Sequence, residues 1–258
     1  MGNQTRKPSW GHVIAALRRG VAAGNAAAMT ELAITINDGI RDRNGRVLVR
    51  RNAPYAVRLL HRAVECGDED ATGSLGYAYD VGQGIKRDKG LALEWYRRAV
   101  RHGDCGAASN IATVYRDLGD LRLAHRWAVR AMEMGDGDAA VTAGYNYLYG
   151  IGVRRDVAAA HRLFQRALRE NTSGYGREEA LFNLAVAHAD NGHRKRAIRL
   201  LKRANKDGDY SEAASLLAQL RAKADLSPCR CRRHLLKDLN GHAPCPQHLI
   251  PGRPVAAR

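Results

Sequence analysis

The chain has 258 residues, of which 45% are hydrophobic, and this is enough apolar material for a continuous core. It carries 42 Lys and Arg against 26 Asp and Glu, so its formal net charge of +16 can attract nucleic acids, acidic proteins or anionic membranes. A run of 18 apolar residues is missing, and the first residues lack the apolar segment of a signal peptide. We therefore expect a cytoplasmic protein that neither spans a membrane nor binds one.

Residues 1–8 are predicted to be disordered, and from residue 9 onward the sequence repeats a helix-like pattern. An alanine is followed by a large apolar pair, a second alanine and a glycine, at offsets of +3/+4, +7 and +11. These offsets place the apolar residues on one face of a helix that ends at the glycine. Six copies, of which two are degenerate, begin at Val13, Ala56, Ala92, Ala124, Ala160 and Ala197.

A shorter pattern lies between these copies, in which an alanine is followed by an apolar residue four positions later. Its copies begin at Ala28, Ala71, Ala107, Ala139, Ala180 and Ala213. In four cases the step from the preceding glycine to this alanine is four residues, which predicts a tight turn between antiparallel helices. The other connection varies in length, as in a helical array with insertions, and residues 38–52 are expected to form a long basic loop.

Two of the longer connections contain a Gly-x-Gly motif, at Gly82-Gln83-Gly84 and at Gly150-Ile151-Gly152. The first is preceded by Ala-xxx-Leu-Gly-xx-Tyr and followed by Ala-xx-Trp-Tyr-xx-Ala-xxx-Gly, so residues 71–103 closely resemble a Sel-one-like repeat, a relative of the tetratricopeptide repeats. The resemblance extends over most of the chain and implies an all-α solenoid of antiparallel helix pairs over residues 9–222. We expect five pairs, preceded by a half-repeat that caps the array.

Residues 223–258 are predicted to form a separate basic tail with a small zinc knuckle. The pattern Cys-x-Cys, thirteen residues, Cys-x-x-His predicts one structural Zn²⁺, because thiolates and imidazoles in two close pairs can surround a tetrahedral ion. The predicted ligands are Cys229, Cys231, Cys245 and His248, with His234 and His242 as spare candidates. The alternatives are a disulfide to Cys245, which requires an oxidising compartment, and a disordered tail.

Motifs of catalysis are missing from the sequence. It has no Gly-x-Ser-x-Gly, Ser-x-x-Lys, His-Glu-x-x-His or P-loop pattern. The two Gly-x-Gly motifs lack the third glycine of a dinucleotide site and are explained by turns. Asp88 and Asp156 precede predicted helices and fit the role of helix N-caps. We therefore predict that the chain is not an enzyme.

A binding surface is predicted on the first helix of each pair, because in tetratricopeptide-like arrays this helix lines the concave face. A groove of this kind would hold a peptide or a helix of a partner protein, which predicts a protein-protein interaction scaffold. The residues predicted by helical spacing to face the partner are Tyr77, Asp80, Ser109, Thr113, Arg116, Tyr145, Leu148 and Phe182. Tyr77 and Tyr145 are the best anchors, since each offers a large rigid surface with a polar tip.

The alternative function is that of a protein associated with nucleic acid or another acidic partner and anchored by the basic zinc tail. The position of the positive charge discriminates between the two hypotheses. Charge gathered on one concave stripe or around the tail favours the alternative, whereas an even spread favours the scaffold.

Overall fold

The computed structural model describes residues 10–170 and 172–222, which fold into two compact units, the first ending at Asp136 and the second beginning at Gly137. Within these residues the structure has twelve helices and one two-stranded hairpin. The first unit contains α1 (Trp10–Ala22), α2 (Ala26–Asp38), β1 (Ile40–Arg41), β2 (Val47–Val49), α3 (Ala53–Glu65), α4 (Ala71–Val81), α5 (Lys89–Arg101), α6 (Cys105–Asp117) and α7 (Leu121–Glu133). The second unit contains α8 (Gly137–Tyr149), α9 (Val157–Arg169), α10 (Gly174–Asp190), α11 (Arg194–Ala204) and α12 (Ser211–Ala222).

The helices pack as the pairs that the repeat predicts. In the first unit the most extensive contacts join α2 with α3, α4 with α5 and α6 with α7, and in the second unit they join α8 with α9 and α10 with α11. We call α2, α4, α6, α8 and α10 the first helices and their partners the second helices. First helices of successive pairs also touch, as α4 touches α6 and α8 touches α10. The predicted all-α repeat fold is therefore confirmed for the described residues.

The pairs are held close by small residues that face large aromatic ones. Tyr96 on α5 and Phe164 on α9 are completely buried. A Cβ atom built on Gly76 of α4 would lie only 2.5 Å from the Tyr96 ring, and one built on Gly144 of α8 would lie 2.7 Å from the Phe164 ring. Gly76 and Gly144, which occupy equivalent places in their repeats, thus leave the space into which the aromatic side chain of the second helix fits.

Aspartates fix the starts of several helices. The side chain of Asp88 accepts a hydrogen bond from the Leu91 amide at 3.0 Å, and that of Asp156 accepts one from the Ala159 amide at 2.9 Å. These bonds satisfy amides that have no partner within their own helix. The predicted N-cap roles of Asp88 and Asp156 are confirmed.

The connection between α2 and α3 differs from the long loop expected over residues 38–52, because it contains the antiparallel hairpin of β1 and β2. The side chain of Asp42 accepts hydrogen bonds from the amides of Asn44 and Arg46, both at 2.9 Å, and so closes the turn. Val49 on β2 is buried in the core of the first unit. Val49 and the partly buried Ile40 therefore pack the hairpin against the core of the first unit, a contact that the basic composition of the segment does not indicate.

Candidate partner-binding groove

Charge is divided unequally between the two kinds of helix. The second helices together carry 18 Lys and Arg against three Asp and Glu, whereas the first helices carry two Lys and Arg against eight Asp and Glu. Both units show the same division. The positive charge is therefore neither evenly spread nor gathered on the first helices, where the partner was expected to bind.

A groove lies on the first helices of the first unit. It has a volume of about 500 Å³ and opens between α2, α4 and the start of α6, with α3 as part of its wall. Its lining residues are Ala33, Ile34, Asn37, Asp38, Ala56, Val57, Leu60, Asp70, Gly73, Ser74, Tyr77, Ala78, Gln83, Asp104 and Asn110. The groove is thus built on the helix face that the repeat pattern singled out.

Two large apolar side chains that line this groove are half exposed to solvent. Ile34 on α2 is 50% exposed and Tyr77 on α4 is 49% exposed, while their neighbours Ala33 and Ala78 are buried in the wall. A large apolar side chain that stays exposed in a concave surface is a typical anchor point for a partner. Tyr77 thus lines the groove with its side chain half exposed, and its role as a partner anchor stays a prediction.

Three aspartates surround these apolar side chains, and all three are exposed. Asp38 ends α2, and Asp70 precedes α4 without making a capping hydrogen bond. Asp104 caps α6, since one oxygen accepts a hydrogen bond from the Ala107 amide at 2.9 Å. Its other oxygen faces Gly73, where a Cβ atom would lie 2.6 Å away, so the absence of a side chain at residue 73 leaves room for this carboxylate in the groove.

The other predicted residues of the first unit do not line this groove. Asp80 is buried, and its carboxylate lies 4.0 Å from the Lys89 ammonium group, so it links α4 to α5. On α6, the Arg116 guanidinium donates to the Thr113 hydroxyl at 3.2 Å, and Ser109 donates to the Asp136 carboxylate. The burial of Asp80 corrects its prediction as a partner-binding residue. Ser109, Thr113 and Arg116 are half-buried, and their role in partner binding stays a prediction.

In the second unit the corresponding residues are more deeply packed. Burial raises the pKa of Tyr145 to about 12, and its ring centroid lies 4.5 Å from that of Tyr149. Phe182 packs against Tyr210 with ring centroids 5.5 Å apart. Leu148 is only 1% exposed, because α8 is covered by both α9 and α10, so it belongs to the core and its prediction as a partner-binding residue is corrected.

Glu179 on α10 lies among the aromatic residues of the second unit. Burial first, and then the nearby Asp138 carboxylate, raise the pKa of Glu179 to about 7. A carboxyl group with such a pKa is partly protonated at neutral pH, because the surrounding groups disfavour its charged form. Glu179 therefore contributes less than a full negative charge to α10 at neutral pH.

Sequence reasoning missed several residues of the groove although the repeat contained a signal for some of them. If Ala28 is aligned with Ala71, Ile34 takes the place of Tyr77 and Asn37 that of Asp80. The same register applied to the first copy would have selected both residues. Asp38, Asp70 and Asp104 lie at helix ends, and only the packing of α2, α4 and α6 shows that they share one groove.

The predicted zinc ligands Cys229, Cys231, Cys245 and His248 lie outside the described residues, so the zinc site stays a prediction. Within residues 10–170 and 172–222, no group of three or more His, Cys, Asp or Glu is placed to hold a metal ion. In the same part of the chain, no helix has the length and apolar character needed to cross a membrane.

Elemental analysis of the full chain, purified without added metal, is expected to give about one zinc per chain, since a four-ligand site binds one ion. Cys231→Ala should lose this zinc and keep its helical circular dichroism signal, because the helix pairs have their own core. Cys66→Ala is the matched control, as Cys66 is a free, exposed cysteine at the end of α3. Full zinc content in Cys231→Ala would show that other residues hold the metal.

Two curated relatives with similar sequences are fungal proteins. The chitin synthase regulator SKT5 of Saccharomyces cerevisiae is 30% identical over 162 residues, which cover 58% of this chain and 22% of the relative. The SKT5 protein of Malassezia restricta is 32% identical over 149 residues, or 55% of this chain and 10% of the relative. A component of an ERAD-associated E3 ubiquitin-protein ligase, HRD3A of Arabidopsis thaliana, is 28% identical over 158 residues. The chain thus spans less than a quarter of the length of each of these relatives.

Solved structures and family models agree with the observed helix pairs. The protective antigen c5321 of uropathogenic Escherichia coli, which displays an SLR fold, superposes on 83% of this chain with a TM-score of 0.69 at 22% identity, and the match covers 45% of that protein. A Sel1 repeat protein of Oxalobacter formigenes matches 80% of this chain and 59% of its own length, with a TM-score of 0.63 at 22% identity. The Sel1 repeat model matches residues 26–68 and 70–104, and a tetratricopeptide repeat model matches residues 154–220. The described helix pairs are therefore similar to Sel1 repeats over residues 26–68 and 70–104 and to tetratricopeptide repeats over residues 154–220.

Proposed function

We propose that this chain is a non-catalytic interaction scaffold whose groove on α2, α4 and α6 binds a peptide segment of a partner protein. The observation that carries the proposal is the groove of about 500 Å³ with Ile34 and Tyr77 half exposed inside it. A concave surface with a few apolar anchors and polar surroundings matches the way in which helical arrays hold extended or helical peptides.

The names of the relatives support a regulatory or adaptor role. One is called a regulator of chitin synthase, and another is called a component of a ubiquitin ligase. Because this chain covers only a small part of those proteins, we take from them the class of role and not the partner. A role in binding also agrees with the lack of catalytic motifs in the sequence.

The proposal is tested by selecting peptides from a random displayed library on the full chain and measuring their affinity for variants. Ile34→Ala combined with Tyr77→Ala should weaken the selected peptides at least ten-fold, because each truncation removes a contact worth about 1 kcal/mol or more. The matched control is Leu118→Ala, since Leu118 is 56% exposed at the end of α6 and does not line the groove. Circular dichroism should show that all variants keep the wild-type helix content.

A different result would favour the alternative function through the positive charge of the chain. Six Lys and Arg with no Asp or Glu lie on α11, which gives that alternative a structural basis beyond the tail. Peptides that bind the Ile34/Tyr77 double variant normally, yet are released by moderate salt or by deletion of residues 223–258, would contradict the groove proposal. They would instead indicate an electrostatic surface for acidic partners or nucleic acid.

A further inference from the structure

The groove on α2, α4 and α6 has a charge opposite to that of the chain as a whole. The chain has 42 Lys and Arg, but the fifteen residues that line the groove include three aspartates and neither Lys nor Arg. Within the part of the chain that the structure describes, Asp38, Asp70 and Asp104 form no ion pair. Other acidic residues nearby are neutralised, since Glu69 pairs with Arg98 at 2.6 Å and Asp117 pairs with Lys89 at 2.8 Å.

The carboxylates stand on both sides of the apolar anchors. Asp38 follows Ile34 by one helical turn, at the C-terminal end of α2. Asp70 precedes Tyr77 by about two turns, or about 10 Å along the axis of α4, and Asp104 lies beside it at the start of α6. Since α3 reverses the chain between them, α2 and α4 run in the same direction. Negative charge therefore lies toward both ends of the first helices, with Ile34 and Tyr77 between.

We propose that the occupant of this groove is a segment of a partner protein in which one or two apolar residues are flanked on both sides by Lys or Arg. This inference rests on the function proposed above and adds the chemistry of the partner. The apolar residues would contact Ile34 and Tyr77, and the flanking cations would pair with the carboxylates of Asp38 on one side and of Asp70 and Asp104 on the other. Arg fits this role well, because its guanidinium binds a carboxylate through two parallel hydrogen bonds.

The net positive charge of the chain predicts a preference for acidic peptides, which is opposite to the preference proposed for the groove. A protein of charge +16 repels basic peptides at long range and attracts acidic ones, so non-specific electrostatics predict the opposite preference. A basic peptide can therefore bind better than its acidic counterpart only through local contacts with an acidic surface such as the groove. Preference for a basic peptide that is lost when Asp38, Asp70 and Asp104 are replaced is therefore evidence for the groove itself.

The experiment uses displayed peptides selected on the full chain and counter-selected on the Ile34/Tyr77 double alanine variant. The best retained peptide is synthesised with a fluorescent label, together with a twin in which every Lys and Arg is replaced by Gln. Fluorescence anisotropy then gives the affinity of both for the wild-type chain and for the Asp38→Asn/Asp70→Asn/Asp104→Asn variant. Asparagine is a good N-cap residue, so these substitutions preserve the start of α6.

The matched control is Glu65→Gln/Asp207→Asn/Asp209→Asn, which changes the net charge equally at exposed positions outside the groove. We expect the selected peptides to be rich in Lys and Arg, to bind the triple groove variant at least ten-fold more weakly, and to bind the control within two-fold of the wild type. The Gln twin should also be at least ten-fold weaker.

Equal binding to the wild type and the triple groove variant would overturn the inference. Neutral or acidic peptides that still require Ile34 and Tyr77 would also overturn it while leaving the proposed scaffold function intact. If no selected peptide requires these two residues, the proposed function itself fails and the inference fails with it.

Discussion

Replacing Phe164 with alanine is expected to lower the free energy of unfolding of the second unit by about 3–5 kcal/mol. The Phe164 side chain is completely buried and fills the space beside Gly144. Its removal leaves a cavity that α8 and α9 cannot close, because their backbones are rigid. Urea titration followed by circular dichroism measures the change. We expect a large effect because Phe164 and Tyr96 are the two largest completely buried side chains among the described residues.

The control for this substitution is Gln165→Ala on the same helix. Gln165 is exposed, and alanine favours helix formation, so its replacement should change the free energy of unfolding by about 0.5 kcal/mol or less. A loss below about 1 kcal/mol for Phe164→Ala would contradict the packing of α8 against α9 described above. It would mean that the aromatic residue of the repeat is not a core residue in solution.

Replacing Gly84 with alanine is expected to destabilise the first unit by about 2–5 kcal/mol, because two penalties combine. Gly84 has a φ angle of +77°, which disfavours any residue with a side chain. A Cβ atom at this position would also collide with the backbone carbonyl of Ala53 and lie 2.7 Å from the nitrogen of Pro54. The loop after α4 would therefore have to move away from the start of α3.

Gly103→Ala separates the two penalties, since Gly103 has a φ angle of +93° and nothing lies within 4 Å of its added Cβ atom. It should cost only about 1–2 kcal/mol, from the backbone conformation alone. Thermal unfolding of both variants, compared at the same pH, gives the difference. If the two variants were equally stable, the close approach of the Gly84 loop to α3 would not contribute to the fold.

The repeat pattern predicted the helices well because it is a local property of the chain. An apolar residue at every third or fourth position defines a helix face, and a glycine or an aspartate at a fixed offset ends or begins the helix. Asp88, Asp156 and the glycines at 67, 103 and 135 all act at the places that their spacing indicates. The hairpin at residues 40–49 was not predicted, because its turn depends on hydrogen bonds to the Asp42 side chain. A repeating pattern of apolar residues does not indicate such bonds.

The exposure of the predicted binding residues could not be derived from the sequence, since helical spacing shows the direction of a side chain but not what covers it. Tyr77 and Tyr145 occupy the same place in their repeats, and yet Tyr77 is half exposed while Tyr145 packs against Tyr149. Leu148 points along the same stripe and is buried, because two neighbouring helices cover α8. Exposure depends on neighbours that are distant in the sequence.

The sequence by itself determined the order of the helices, the five helix pairs, the caps at Asp88 and Asp156 and the excess of positive charge. All of these depend on residues within one or two helical turns, or on a simple count. Only the tertiary structure decided where the charge lies, with cations on the second helices and Asp38, Asp70 and Asp104 around one groove. Asp38 and Asp70, and likewise Asp70 and Asp104, are more than thirty residues apart in the sequence. They become neighbours only because packed helix pairs bring the ends of α2, α4 and α6 together.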